Sequence, residues 1–122
     1  MLQMKYYKDA NIDEWLSMAG SQAKGLPLVK SGNFAADMLK FDRWEQTTLH
    51  THPGDHILFV VEGDGWLDYG DRTYDLFLGS CYFVQGQIPH RVRASSVGMF
   101  LLAIANNHYS VDNPDRLEVI RE

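Results

Sequence analysis

The chain has 122 residues, enough for one domain around one core. Hydrophobic residues make up 45% and aromatics 12%, so the chain carries enough apolar surface to fold and does not read as disordered. A formal charge of −5 and a pI near 5.4 argue against nucleic acid and against an anionic membrane surface as the main partner.

Residues 1–10 are mixed in character and read as an arm or edge strand, without the apolar core of a signal peptide. Asn11-Ile12-Asp13-Glu14 has the form of a capping box. Ile12, Trp15, Leu16 and Ala19 follow at helical spacing, and Gly20 can close the turn. The pattern predicts one short N-terminal helix covering an end of the fold. Residues 21–25 read as a loop, 26–31 as a strand and Gly32-Asn33 as a turn. Residues 34–41 read as a strand, although 35–39 would also fit a helix locally. Residues 42–45 connect to a strand over 46–52.

Pro53-Gly54-Asp55 breaks that strand: Pro fixes φ, Gly permits positive φ, and Asp bonds within turns. The run from His56 through Val61 is strongly β-prone. Gly63-Asp64-Gly65 signals a hairpin, with strand returning over 66–69. Gly70-Asp71 turns again before a strand over 72–76. Strands over 80–84 and 89–94 follow, then a turn at Ser95-Ser96 and a last apolar strand over 98–105. Residues 106–122 are polar, turn at Asn113-Pro114-Asp115, and read as a tail packed on a partner subunit.

Many short strands with a turn roughly every 8–12 residues predict an all-β sandwich or barrel. No repeat or linker divides the chain. The expectation is one domain over 1–122, with an arm and helix over 1–25, a core over about 26–105 and a tail over 106–122. Cys81 is the only cysteine, so no internal disulfide forms and a reducing compartment is the default. No apolar run approaches the ~20 residues that span a bilayer. A cytoplasmic protein is expected.

Chemistry concentrates in His50-Thr51-His52-Pro53-Gly54-Asp55-His56, which holds three of the five histidines. Alternation puts His50 and His52 on one face of a strand. A reversal at 53–55 can bring His56 back beside His52 on a neighbouring strand. His90 stands at the end of a later strand-like run. Three imidazoles on one patch without a metal are hard to satisfy and repel when protonated. The reading is that His50, His52, His56 and His90 converge on one divalent metal. Imidazole donors suit Zn, Fe, Mn, Ni, Co or Cu better than Ca or Mg. His108 has no spaced partner and stays outside the set.

Parity extends the picture. With His90 inward, Val92 and Ala94 share its face, while Arg91 and Arg93 face out as surface or interface charges. Leu58 and Val60 line the inside with His56. The outward residues Ile57, Phe59 and Val61 are also apolar and need cover, which favours a homodimer. Trp44, Phe34, Tyr82 and Met99 read as core packing in preference to pocket lining. Cys81 reads as a small buried hydrophobe.

These residues resemble the cupin superfamily. Its first motif runs Gly, five residues, His-X-His, three or four residues, Glu, six residues, Gly. Here His50-X-His52 is followed by three residues, His56, six residues and Gly63, with His56 at the Glu position and Trp44 at the leading Gly position. Its second motif runs Gly, five residues, Pro-X-Gly, two residues, His, three residues, Asn. Here Gly79, Gln85-Gly86-Gln87 and His90 keep the spacing, with Gln85, Gln87 and Ala94 replacing Pro, Gly and Asn.

The resemblance covers roughly residues 44–94 and implies a double-stranded β-helix, a conical jelly-roll barrel with a metal in its mouth. It implies His50, His52, His56 and His90 as ligands, in the manner of a four-histidine subgroup of small cupins. Losing the carboxylate leaves the metal's +2 charge intact and removes a candidate proton acceptor. The expected function is a metal-dependent enzyme on a small organic substrate, with dioxygenase-like oxidation favoured. Isomerase, lyase or cyclase chemistry, or a non-catalytic sensing module, are the alternatives.

Overall fold

The computed structural model of the protein describes residues 2–121. Its strands are β1 (Leu16–Ser17), β2 (Lys24–Ser31), β3 (Phe34–Phe41), β4 (His50–Thr51), β5 (His56–Tyr69), β6 (Arg72–Leu76), β7 (Cys81–Val84), β8 (His90–Ala105) and β9 (Glu118–Val119). They form one curled antiparallel sheet in the order β1-β2-β3-β8-β4-β9, with β5 pairing β6, β7 and β8. This is the jelly-roll barrel that the sequence suggests.

Two strands do most of the organising. β5 and β8 run antiparallel from the pair His56–Ala105 to the pair Tyr69–His90. The expected hairpin at 63–65 and turn at 95–96 do not occur; both segments lie inside these continuous strands. The glycines there serve bulges instead. Register shifts fall between Val60 and Glu62 and between Gly63 and Gly65. Gly63 has φ 76° and Gly98 φ 73°.

An odd residue in a strand swaps which parity points inward. On β5, Leu58 and Val60 are buried before the bulge and Leu67 after it. On β8, His90, Val92 and Ala94 are buried before, and Met99, Leu101 and Ala103 after. Each strand therefore feeds both ends of the barrel with inward side chains. A hairpin and a bulge use the same positive-φ glycine, which is why the sequence signal is ambiguous.

The N-terminal helix is also not formed as expected. Asn11 N–H does donate to the Glu14 carboxylate at 2.7 Å. The turn it caps is a single 3₁₀ turn, Ile12–Glu14, and the chain then extends into β1, where Leu16 pairs with Gly25. Ile12 is 82% exposed, while Trp15 finds Phe100 and Leu16 finds the core from extended backbone, so the stripe does not bury as one helical face. A helix without a buried stripe draws little from packing, and a ladder with β2 satisfies the backbone instead. The arm before it is no strand: it holds a 3₁₀ turn, Tyr7–Asp9, whose Tyr7 ring lies 5.3 Å from Phe100. Of the strand expected over 46–52, only β4 and isolated bridges at Gln46 and Thr47 form.

The tail packs on its own barrel. Ala19 N–H donates to Val111 O, and Val111 is buried against Gly25. The turn at Asn113-Pro114-Asp115 appears as the 3₁₀ turn Pro114–Arg116, capped by Asn113. β9 then pairs with β4, setting Val119 opposite His50. Among the described residues, no helix is long and apolar enough to cross a membrane.

A Cβ built on Gly63 would lie 2.1 Å from Gly98 O, whereas one on Gly32, also at positive φ, would meet nothing within 4 Å. Gly32→Ala is expected to cost about 1 kcal/mol for its backbone conformation alone. Gly63→Ala should cost at least about 2 kcal/mol more, because backbone must move. Urea denaturation of the two variants checks the difference.

Candidate metal centre

β4 sets His50 across from His90 at the start of β8, with ring centroids 4.4 Å apart. His52 follows β4, and its ring lies 4.7 Å from that of His90. One nitrogen from each of His50, His52 and His90 lies within 4.8 Å of the other two. These three form a site that can hold a metal ion. His56 is not part of that triangle, but its ring stands 4.5 Å from His52 and 5.6 Å from His90. It arrives by a different route from the one expected. β5 does not pair with β4; His56 instead pairs with Val84 and Ala105.

Backbone carbonyls orient the three grouped rings. The Nδ1 atoms of His50, His52 and His90 each lie 2.7 Å from a carbonyl, of Thr48, Gly54 and Ile88 respectively. A carbonyl only accepts, so each Nδ1 carries the proton and each Nε2 keeps its lone pair. Metal-ligating histidines are oriented by this same kind of outer contact. The loop before β8 secures His52. Its N–H donates to Gly86 O at 2.9 Å, and Gln87 Nε2 donates to its carbonyl at 3.0 Å. A Cβ on Gly86 would lie 2.3 Å from His52 Nδ1, so only glycine fits beside that ring. Asp55 does not close its own turn; it accepts from Gly86 N–H at 3.1 Å.

The donors fit a transition metal. His52 Nε2 and His90 Nε2 are 3.0 Å apart. With both Nδ1 protons committed to carbonyls, two lone pairs face each other there and repel. A cation between them removes that repulsion. At metal–nitrogen distances of ~2.0–2.1 Å, adjacent donors on one ion lie about 3 Å apart. An all-nitrogen set suits Mn, Fe, Co, Ni, Cu or Zn, not Ca or Mg.

Burial keeps these rings neutral. Desolvation, with His90 close by, lowers His50 to about 3. Desolvation lowers His90 to about 4 and pushes His52 down as well. His56 is pushed well below its ordinary value by the same cause and by the other three rings.

One part of the site was not legible in the sequence. His108 Nε2 lies 2.7 Å from Asp37 Oδ2, and both residues are largely buried. Burial raises the Asp37 carboxyl, with the His108 hydrogen bond opposing. Arg116 sits nearby, its Nη2 donating to Ala19 O at 3.0 Å. Burial lowers its guanidinium to about 10, which leaves it charged at neutral pH. All three line a cavity of about 70 Å³ that also touches His52 and His56. His108 and Asp37 are 71 positions apart, and no spacing rule links them.

The remaining expectations divide. Val92, Ala94, Leu58 and Val60 are buried with the histidines, as parity requires. Arg91 and Arg93 face out and converge on Asp68, whose carboxyl burial would raise but which hydrogen bonds from Arg93, Thr73 and Arg91 hold at about 2. Met99 and Tyr82 pack in or against the core. Trp44 and Phe34 do not: they are 62% and 65% exposed. Cys81 is exposed, because its position on β7 alternates outward from Val84 and Tyr82.

Residues 40–104, more than half of the chain, match the family described as Cupin domain, and the chain belongs to that family. No curated protein matches its sequence. Its fold is similar to that of KdgF from Halomonas sp., at 17% identity and TM-score 0.76, covering 90% of this chain and 96% of that one. It is similar to the polyketide cyclase RemF from Streptomyces resistomycificus, at 17% identity and TM-score 0.76, covering 94% and 91%. A cupin 2 conserved barrel domain protein from Rhodopseudomonas palustris gives 18% identity and TM-score 0.70, covering 97% and 76%.

The depressed imidazole values fix a pH dependence for metal-free protein. Unfolded histidines take up protons near pH 6.5, whereas folded His50 and His90 wait until about 3 and 4. The unfolded state thus binds more protons in that interval, and stability falls as pH drops below about 6.5. The slope is about 1.4 kcal/mol per pH unit for each such proton. Asp37, raised by burial, works in the opposite direction at the acid end. Urea midpoints of chelator-treated protein should be level above pH 7 and fall steadily towards pH 4. A flat profile between pH 7 and 5 would contradict the buried, neutral cluster.

Proposed function

We propose that the protein is a metal-dependent enzyme acting on a small, oxygen-bearing organic molecule, with His50, His52, His56 and His90 holding one divalent transition metal. The observation that carries this reading is the 3.0 Å approach of two Nε2 atoms whose rings have both committed Nδ1 to carbonyls. His56 joins as fourth ligand because its Nε2 is buried without a partner beside His52. When bound, Mn, Fe, Ni, Zn, Co or Cu supplies Lewis-acid polarisation of a substrate oxygen, and a redox-active ion also opens oxygen chemistry.

The chain's own residues supply the proton chemistry. His108 donates Nε2–H to Asp37, so its Nδ1 keeps a lone pair, held in place beside the cavity. A positioned imidazole oriented by a carboxylate is the usual arrangement for a general base. This replaces the proton acceptor lost when His56 took the Glu position of the motif. It favours isomerase, lyase or cyclase chemistry over the dioxygenase-like oxidation that the sequence alone suggests. The likeness to a polyketide cyclase points the same way.

The reading extends to a single domain in the cytoplasm that works as a homodimer. Ile57 and Phe59 are each 37% exposed and Phe83 is 63% exposed, with Ile57 paired directly to Phe83 across β5 and β7. A second subunit covers this outward face.

Metal analysis of protein purified without a histidine tag should find about one transition metal per chain, with most of it lost in His52→Ala. Wild-type retention in that variant would sink the ligand set. With carbonyl substrates, solvent deuterium should enter the substrate without oxygen uptake, and His108→Asn should slow that exchange at least about 100-fold. Oxygen uptake with turnover would restore the oxidation reading, and ligand binding without turnover would leave a sensing module. Light scattering should give a dimer for the wild type and a monomer for Phe83→Asp.

A further inference from the structure

The tail closes one wall of the cavity beside the histidine cluster, with Asn106, Asn107, His108, Tyr109, Val111 and Arg116. The opposite wall belongs to the barrel and includes Asp37 and Ala103, which pair across β3 and β8. The space between the walls is about 70 Å³. Sites that enclose a small organic molecule measure ~300–1,000 Å³. One wall must move before such a molecule reaches the cluster, and the laddered wall is the fixed one.

The tail is attached as a moving part would be. At one end Asn106 is tied to the barrel twice: its N–H donates to Asp55 O at 3.2 Å, and its Oδ1 accepts from Asp55 N–H at 2.8 Å. At the other end β9 pairs with β4. Asn107, beside the first anchor, has φ 44°, a left-handed conformation that asparagine adopts more readily than most residues. Between the anchors, over residues 107–117, Val111 is the only buried apolar residue. The polar ties there run from His108 to Asn33 O and Asp37, from Ala19 N–H to Val111 O at 2.9 Å, and from Arg116 Nη2 to Ala19 O.

The closed state is also imperfect inside. Among the described residues, His108 Nδ1 and Arg116 Nε are buried without a hydrogen-bond partner. Such a group carries its full desolvation cost, which water removes once the segment moves out. One apolar anchor and two dry nitrogens make this segment weaker than the β5–β8 ladder.

We propose that residues 108–116 form a strap over the site, hinged at Asn107, which swings away from Asp37 and Ala19 to admit substrate and then settles back. Opening carries His108 off Asp37 and joins the cavity to solvent. Closing returns Val111 to the space beside Gly25 and sets His108 against Asp37, so the proposed base is assembled only when the strap is shut. The inference rests on the reading of this cavity as a small-molecule site.

The test needs neither metal nor substrate. Ala19 N–H donates to Val111 O, so its hydrogen exchange reports the strap, whereas Leu101 in β8 reports the barrel. In metal-free full-length protein, Ala19 should be at least about 100-fold less protected than Leu101. Diethyl pyrocarbonate should modify His108, although in the closed form Nε2 is bonded to Asp37 and Nδ1 is buried. Equal protection at Ala19 and Leu101, or an unreactive His108, would overturn the proposal.

A disulfide gives a locked form. A Cβ built on Gly25 lies 3.1 Å from Val111 Cβ, close to the ~3.5–4.5 Å that a disulfide spans. In a Cys81→Ser background, Gly25→Cys combined with Val111→Cys should bridge on oxidation. Bridging should raise Ala19 protection and slow His108 modification, each at least about tenfold, and reductant should reverse both. A bridged protein whose His108 still reacts at the reduced rate overturns the strap equally. Metal content is measured separately: its absence sinks the metal reading alone, and a strap that stays shut sinks this inference alone.

Discussion

Three hydrogen bonds govern the site: those from the Nδ1 atoms of His50, His52 and His90 to the carbonyls of Thr48, Gly54 and Ile88. Each fixes a tautomer as well as a ring plane. Together they point unprotonated nitrogens at a common centre inside a region that burial has dried. Burial lowers all four clustered imidazoles, so they stay deprotonated without any help from an anion. A ligand set must be unprotonated before an ion arrives, and here the fold does that work in advance.

The barrel exists to make that convergence possible. His50 and His90 meet because β4 pairs with β8 at those two residues. His56 comes near because β5 and β8 run side by side through a shared bend at Gly63 and Gly98. Straight strands would keep one parity inward throughout. The bend lets His90 and Leu101 both point inward from one strand.

What the sequence reveals follows the range of the interactions. β3 and β6 appear where alternation and turn residues predict them, because both signals are local. The His-X-His spacing is likewise local and survives intact. The bulge at Gly63 reads as a hairpin in the sequence because a positive φ does not say whether the chain reverses or merely kinks, and Ser95-Ser96 reads as a turn although β8 runs through it. The helix at Ile12 failed because periodicity describes a stripe but not whether anything covers it. Asp37, His108 and Arg116 gave no pattern at all. Their meeting is a product of the tail folding back, which depends on Val111 finding the space beside Gly25 and on β9 finding the edge of β4.

That last pairing has its own consequence. β4 is two residues long, and among the described residues its outer edge is held by two residue pairs to β9 and by Ile120 N–H donating to Leu49 O at 2.8 Å. Such a short hem can lift by local opening while the long ladder of β5 and β8 stays shut. For an ion held by the imidazoles, entry and exit would then be governed by the end of the chain and not by global unfolding.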